Sequence, residues 1–81
     1  MKAHEMTEAL GKRLIGRQVL TQAMGTWPGG LAKVLELDPD PNDDNIVMLV
    51  KPLAGQIDPD TKEPFKEMGI FWNEEISFRK R

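Results

Sequence analysis

Alternating acidic and amide side chains fill the segment DPDPNDDN, which spans residues 38–45 and is called the acidic turn below. Asp38, Asp40 and Asn42 stand two residues apart, which is the spacing of the oxygen ligands in a calcium loop. Such a loop also needs glycine at its sixth position and glutamate at its twelfth, where this chain has Asp43 and Leu49. The pattern therefore predicts a solvated turn that binds no calcium, and we expect no metal site.

Groups suited to acid–base or nucleophilic catalysis are sparse. His4 is the only histidine, Ser77 is the only serine, and there is no cysteine. A single histidine without cysteine cannot form a typical zinc site or a catalytic triad within one chain. Glu74 and Glu75 are adjacent, so in a strand they would lie on opposite faces, and a solvated turn is the preferred interpretation. The sequence predicts no catalytic residue and no cofactor.

Length and composition indicate one small domain. A chain of 81 residues buries roughly 60–65% of its unfolded surface, so the core is limited and self-association is a common source of added stability. No apolar run approaches the ~18 residues of a membrane span. The first ten residues carry two glutamates and no apolar block, unlike a signal peptide. A cytoplasmic protein is the expected class.

Charge is distributed unevenly along the chain. The net charge of −2 gives no reason to expect non-specific binding to nucleic acid. Residues 1–17 hold four basic side chains against two acidic ones, and residues 79–81 form a basic tail. A basic patch would form if the two ends met in space, but a solvated tail is the preferred interpretation because chain ends are commonly disordered.

The beginning of the chain has a helical pattern. Met6, Leu10 and Leu14 recur every four residues, which predicts a helix over residues 4–14 with one apolar face. Gly16 is a suitable stop. A helix this short is marginal by itself, so residues 1–15 are expected to form an N-terminal helix or arm that docks on the rest of the chain.

After Arg17 the apolar period becomes two, which is typical of strands. Two polar or irregular segments interrupt the pattern: the acidic turn, and a long connection from Pro52 to Glu67 in which Phe65 could serve as an apolar anchor. Residues 46–50 are apolar at every position, which predicts that both faces of this strand are covered, one of them by the helix or by another chain. The predicted strands cover residues 18–24, 31–37, 46–50, 69–72 and 76–78.

The order of these strands resembles that of SH3-like small β-barrels. The resemblance rests on Gly16-Arg17-Gln18-Val19 opening the first strand, Gly30-Leu31-Ala32-Lys33-Val34 in the second, and Gly69-Ile70-Phe71-Trp72-Asn73-Glu74-Glu75-Ile76 near the end. In that family one tight helical turn joins the last two strands, and Asn73-Glu74-Glu75 fits it. The resemblance implies a mainly β fold, a five-stranded SH3-like barrel over residues 16–78 with a short N-terminal α-helix, and a preference for binding roles.

The loop Gly25-Thr26-Trp27-Pro28-Gly29-Gly30 also resembles the matching region of plasmid-encoded, trimethoprim-resistant dihydrofolate reductases. Those enzymes form one pore from four chains, and their pore strand carries a Val-Gln-Ile-Tyr run. The corresponding stretch here, Gly69-Ile70-Phe71-Trp72, lacks the glutamine and the tyrosine, so the reductase activity is not implied.

Aromatic side chains supply the remaining candidates for binding. Trp72 and either Ile70 or Phe71 are expected in the core, because a core this small needs its large residues. Trp27 lies at a loop tip, where ligand contact and a hydrophobic lid are equally favoured. The candidates for partner binding are Trp27, Pro28, Phe65, Trp72 and Arg17.

The function that these features favour is a non-catalytic binding or assembly module that acts through protein–protein contacts and self-associates. Two alternatives remain. One is a nucleic-acid-associated accessory protein that uses the basic ends. The other is a small oligomeric enzyme whose site lies between chains.

Overall fold

The N-terminal segment folds as a short helix continued by a tighter turn. In the computed structural model, which describes residues 1–43, 45–53 and 56–78, helix α1 spans Ala3–Leu10 and a 3-10 helix spans Gly11–Leu14. The sequence predicts one helix here. The α-helix instead ends at Leu10, because Gly11 has a φ of 54°, which an α-helix cannot accommodate. Within the described ranges, neither helix is long and apolar enough to cross a membrane.

The rest of the described chain forms one antiparallel sheet of five strands in the order β4-β3-β2-β1-β5. The mainly β class with a short N-terminal helix is thereby confirmed. Strand β1 is shorter than predicted because Met24, three residues beyond it, forms an isolated bridge with Trp27 instead. The strands are β1 Gln18–Thr21, β2 Gly30–Leu37, β3 Ile46–Pro52, β4 Met68–Phe71 and β5 Ile76–Phe78.

The sheet is open, whereas the sequence predicts a barrel. Among the described residues, β4 and β5 each pair with one neighbouring strand and form the two edges. The N-terminal segment lies beside the turn that leads into β5: the backbone N–H of Ile76 donates to the carbonyl of Met1, and that of Ala3 donates to the carbonyl of Glu74. The start of the chain, rather than β4, therefore occupies the position next to β5.

One face of the sheet, called the inner face below, packs against the helices to form the core. Ala3 and Met6 of α1 and Leu14 of the 3-10 helix are fully buried, and Leu10 is partly buried against them, as the helical pattern predicts. The other buried members come from all five strands: Val19, Ala32, Val34, Met48, Val50, Ile70 and Ile76. The apolar helix stripe and the alternate strand residues thus meet in one cluster.

The described part of the long connection after β3 folds back on itself. Ile57 bridges Pro64, and the backbone N–H of Asp58 donates to the carbonyl of Glu63 at 2.8 Å. Phe65 is 8% exposed, which confirms it as the apolar anchor of the segment. Residues 54 and 55 lie outside the described residues, as do Asp44 and the basic tail 79–81.

Candidate protein-binding face

The face of the sheet opposite the helices, called the outer face below, carries apolar side chains that the described chain leaves partly open. Strand β3 alternates, with Met48 and Val50 buried on the inner face and Leu49 partly exposed on the outer one. Four side chains form what we call the outer patch: Leu35, Ile46, Leu49 and Phe71. The helix therefore covers one face of this strand and leaves the other available.

A glycine lies in the middle of the outer patch. Gly69 pairs with Leu49, and a Cβ at this glycine would lie 2.9 Å from Cγ2 of Ile46. The missing side chain lets Ile46 lie across β4, next to Phe71, with which it pairs. Phe71 is 43% exposed, although it is a large aromatic residue within a strand. The patch is consequently low in relief and apolar, which suits contact with another protein surface.

One end of the outer patch continues into a cleft of about 460 Å³ between the β2–β3 strands and the long connection. We call it the lysine cleft. Lys33 of β2 and Lys51 of β3 are direct cross-strand partners, and both line it. Leu35 belongs to the outer patch and to the cleft, so the two surfaces are continuous. The remaining lining residues are Pro52, Leu53, Gln56, Pro64 and Phe65.

The charge of the cleft is positive and uncompensated. Among the described residues, no carboxylate lies within 4.0 Å of the ammonium groups of Lys33, Lys51 or Lys66, and Lys66 lines an adjoining depression with Lys51. Like charges placed directly opposite each other on neighbouring strands are unfavourable. Glu67 also lines that depression, without pairing with these lysines. The cleft is therefore suited to a negatively charged group attached to an apolar body.

Trp27 and Phe65 form a second apolar cluster beside the core. Their rings meet edge to face at a centroid distance of 5.0 Å, and the indole Nε1–H of Trp27 donates to the Thr21 hydroxyl at 2.8 Å. Trp27 is 1% exposed, so its side chain offers no surface to a partner. Ligand contact and a hydrophobic lid were the two roles considered for Trp27, and its burial fits the lid. Phe65 still contributes to the wall of the lysine cleft.

The other predicted contact residues lie apart from one another. Pro28 is exposed in the loop before β2. Trp72 follows β4 and is 44% exposed, so its predicted place in the core is wrong; of the two residues considered with it, Ile70 is the buried one. The indole of Trp72 instead packs against the His4 ring at a centroid distance of 5.4 Å. The structure does not bring Trp27, Pro28, Phe65 and Trp72 into one groove.

Arg17 connects the two ends of the described chain. Its guanidinium lies over the Phe78 ring, 4.5 Å from the centroid, in a cation–π contact. A basic residue from the first part of the chain thus reaches the residue that precedes the tail. The tail itself lies outside the described residues, so a basic patch made by the two ends stays a prediction.

The acidic turn uses some of its own side chains to shape itself. One carboxylate oxygen of Asp40 accepts from the backbone N–H of Asn42 at 2.9 Å, and one of Asp43 accepts from that of Asn45 at 3.0 Å. Asp38 and Asp40 are exposed. Within the described ranges, no group of three His, Cys, Asp or Glu side chains is placed to hold a metal ion.

No protein-family model, no curated protein and no solved structure matches the chain.

Sequence reasoning missed the lysine cleft. Lys33 and Lys51 break two apolar strand patterns, and each reads as an ordinary solvent-facing residue. The available signal was that the two lysines lie at similar distances from the acidic turn that joins their strands. The candidate surface therefore comprises the outer patch and the lysine cleft, and of the residues singled out from the sequence it includes Phe65.

Proposed function

We propose that the protein is a non-catalytic assembly module that acts in the cytoplasm through protein–protein contacts and self-associates through the outer face of its sheet. The observation that supports this most directly is the outer patch, an apolar surface continuous with a charged cleft. Protein–protein interfaces commonly have an apolar centre and a polar rim, and the outer patch with the lysine cleft has the same arrangement.

The arrangement of β3 supports the outer face as the contact surface. The helix already covers the side of β3 that carries Met48 and Val50, so a second protein has only the Leu49 side left to cover. A domain of this size gains stability when such a face is buried in an oligomer. Exposure of Phe71 next to Ile46 extends the same surface onto the edge strand.

Sedimentation equilibrium tests this proposal. We expect the intact protein at tens of micromolar to have a mass above that of its 9.2 kDa chain, and we expect Leu49→Glu to convert it to a folded monomer. Ala9→Glu is the matched control, because Ala9 is exposed on α1, which packs against the inner face rather than the outer one. A clean monomer for the parent, or an oligomer that Leu49→Glu leaves intact, would contradict the proposal.

We also propose that the sheet belongs to the SH3-like small barrels. Two features support this: β1 lies between β2 and β5, and the turn from β4 into β5 is closed by a hydrogen bond of 3.1 Å from the backbone N–H of Glu74 to the carbonyl of Phe71. Main-chain NOEs between β4 and β5 would demonstrate closure in solution. Their absence, with all other strand pairs present, would count against the barrel.

A further inference from the structure

The lysine cleft and the acidic turn lie at opposite ends of one hairpin. Strands β2 and β3 form that hairpin, with Lys33 opposite Lys51 at one end and Leu37 opposite Met48 next to the acidic turn. Asp38 follows Lys33 by five positions along the strand, which corresponds to about 17 Å. The outer patch fills the space between the two charged ends. Glu36 is exposed, pairs with Leu49 and lies on the same face, between Leu35 and the acidic turn. This surface is therefore positive at one end, apolar over Leu35, Leu49 and Ile46, and negative from Glu36 to the acidic turn.

We propose that two copies of the chain pack outer face to outer face in opposite directions, so that the acidic turn of each copy docks against the lysine cleft of the other. This inference rests on the proposed function, since it specifies how the self-association is arranged. The occupant of the cleft is then a second copy of this chain.

The charge pattern supports that arrangement. In a two-fold symmetric dimer each contact occurs twice, so a surface must be complementary to itself after a half-turn. The two-fold axis lies between the outer patches, parallel to the sheets and perpendicular to the β2 and β3 strands, and it places the negative end of one copy over the positive end of the other. It also places the apolar middle of each copy against that of its partner. A parallel arrangement would instead bring like charges together, which is strongly unfavourable.

The side chains involved are free to make these contacts. Lys33 and Lys51 are exposed, and neither has a carboxylate partner among the described residues. Asp38 and Asp40 are exposed, and the hydrogen bond within the turn engages one oxygen of the Asp40 carboxylate. The repulsion between the two facing lysines is relieved when carboxylates of the second copy approach them.

A charge-swap experiment tests the arrangement. One variant carries Lys33→Glu and Lys51→Glu, and the other carries Asp38→Lys and Asp40→Lys. The first variant alone would face like charges at both ends of the dimer. The second, whose turn keeps Asp43 and Asp44, would lose the charge attraction, so we expect the dimer dissociation constant of each to rise roughly tenfold or more. An equimolar mixture would have opposite charges at both ends, and we expect it to form a heterodimer about as stable as the parent dimer.

The controls separate this inference from the proposed function. Circular dichroism establishes that both variants are folded, and Glu8→Lys reverses an exposed charge on α1, away from the outer face. Added salt should weaken the parent dimer. If both charge variants dimerise like the parent while Leu49→Glu is monomeric, the docking of the acidic turn is overturned and the proposed function stands. If the mixture stays monomeric, the antiparallel arrangement is overturned. If the parent is a monomer, both proposals fail.

Discussion

Both faces of the β2–β3 hairpin carry apolar side chains, but they are covered differently. The inner face carries Val34, Met48 and Val50, all fully buried where the sheet packs against the two helices. The outer face carries Leu35 and Leu49, which remain partly exposed, between lysines and an acidic turn. The difference shows that apolar content alone does not identify the core of a small domain. The element that covers a face decides whether that face stabilises the fold or remains available to a partner.

Substitution of adjacent residues in β2 should give the largest contrast between the faces. We expect Val34→Asp to unfold the domain, because a buried unpaired carboxylate costs several kcal/mol out of a total stability of about 5 kcal/mol or less. Lys33→Asp should leave the domain folded, and it should add about 0.2–1 kcal/mol because it places a carboxylate opposite Lys51. Urea unfolding followed by circular dichroism, at a protein concentration low enough for the parent to be monomeric, measures both. Equal melting of the two variants would mean that the register of β2 is wrong.

A smaller difference in stability between the two faces is expected when a side chain on each is shortened to alanine. Met6→Ala removes a side chain that is 1% exposed between helix and sheet, and we expect a loss of about 2–5 kcal/mol. Leu49→Ala removes a partly exposed side chain, and we expect a loss below about 1 kcal/mol in the monomer. Urea unfolding at low protein concentration compares the two. Similar losses would show that the outer face is as well packed as the core.

The smallest effect concerns Gly69, which lies under Ile46 on the outer face. Gly69→Ala forces Ile46 to move, and because that side chain lies on an open surface we expect a loss of less than about 1 kcal/mol. In an Ile46→Ala background the same change should be neutral or stabilising, since glycine within a strand costs about 0.5–1 kcal/mol relative to alanine. A double-mutant cycle measures this coupling. Additive effects would show that the two residues are not in contact.

Local patterns predicted most of the elements, because strand alternation and helix periodicity are encoded over short stretches. The bounds of β5 match the prediction, and those of the other strands differ mainly at their ends. Strand β3 continues to Pro52, beyond the predicted stop at Val50. Pro52 pairs with Ala32 at the strand end, and the next residue, Leu53, donates its own N–H to the carbonyl of Leu31. A proline is tolerated there because the ladder is ending.

The candidate site could not be predicted to the same extent, because it depends on contacts between distant residues. Lys33 and Lys51 face each other only in a register that contains a shift between Val34 and Glu36, and such a bulge has no distinct sequence signal here. Trp72 was expected in the core on grounds of size. It is exposed because β4 ends one residue earlier and the chain turns.

The contact between the N-terminal segment and residues 72–76 has a consequence for how the protein folds during its synthesis. The backbone N–H of His4 donates to the carbonyl of Trp72, and that of Ile76 donates to the carbonyl of Met1. Helix α1 leaves the ribosome long before those partners do, and a helix of eight residues does not persist in water by itself. These hydrogen bonds can therefore form only after residue 76 has emerged. Until then α1 is held by its packing on β3 alone, and the incompletely covered inner face makes the nascent chain prone to aggregation.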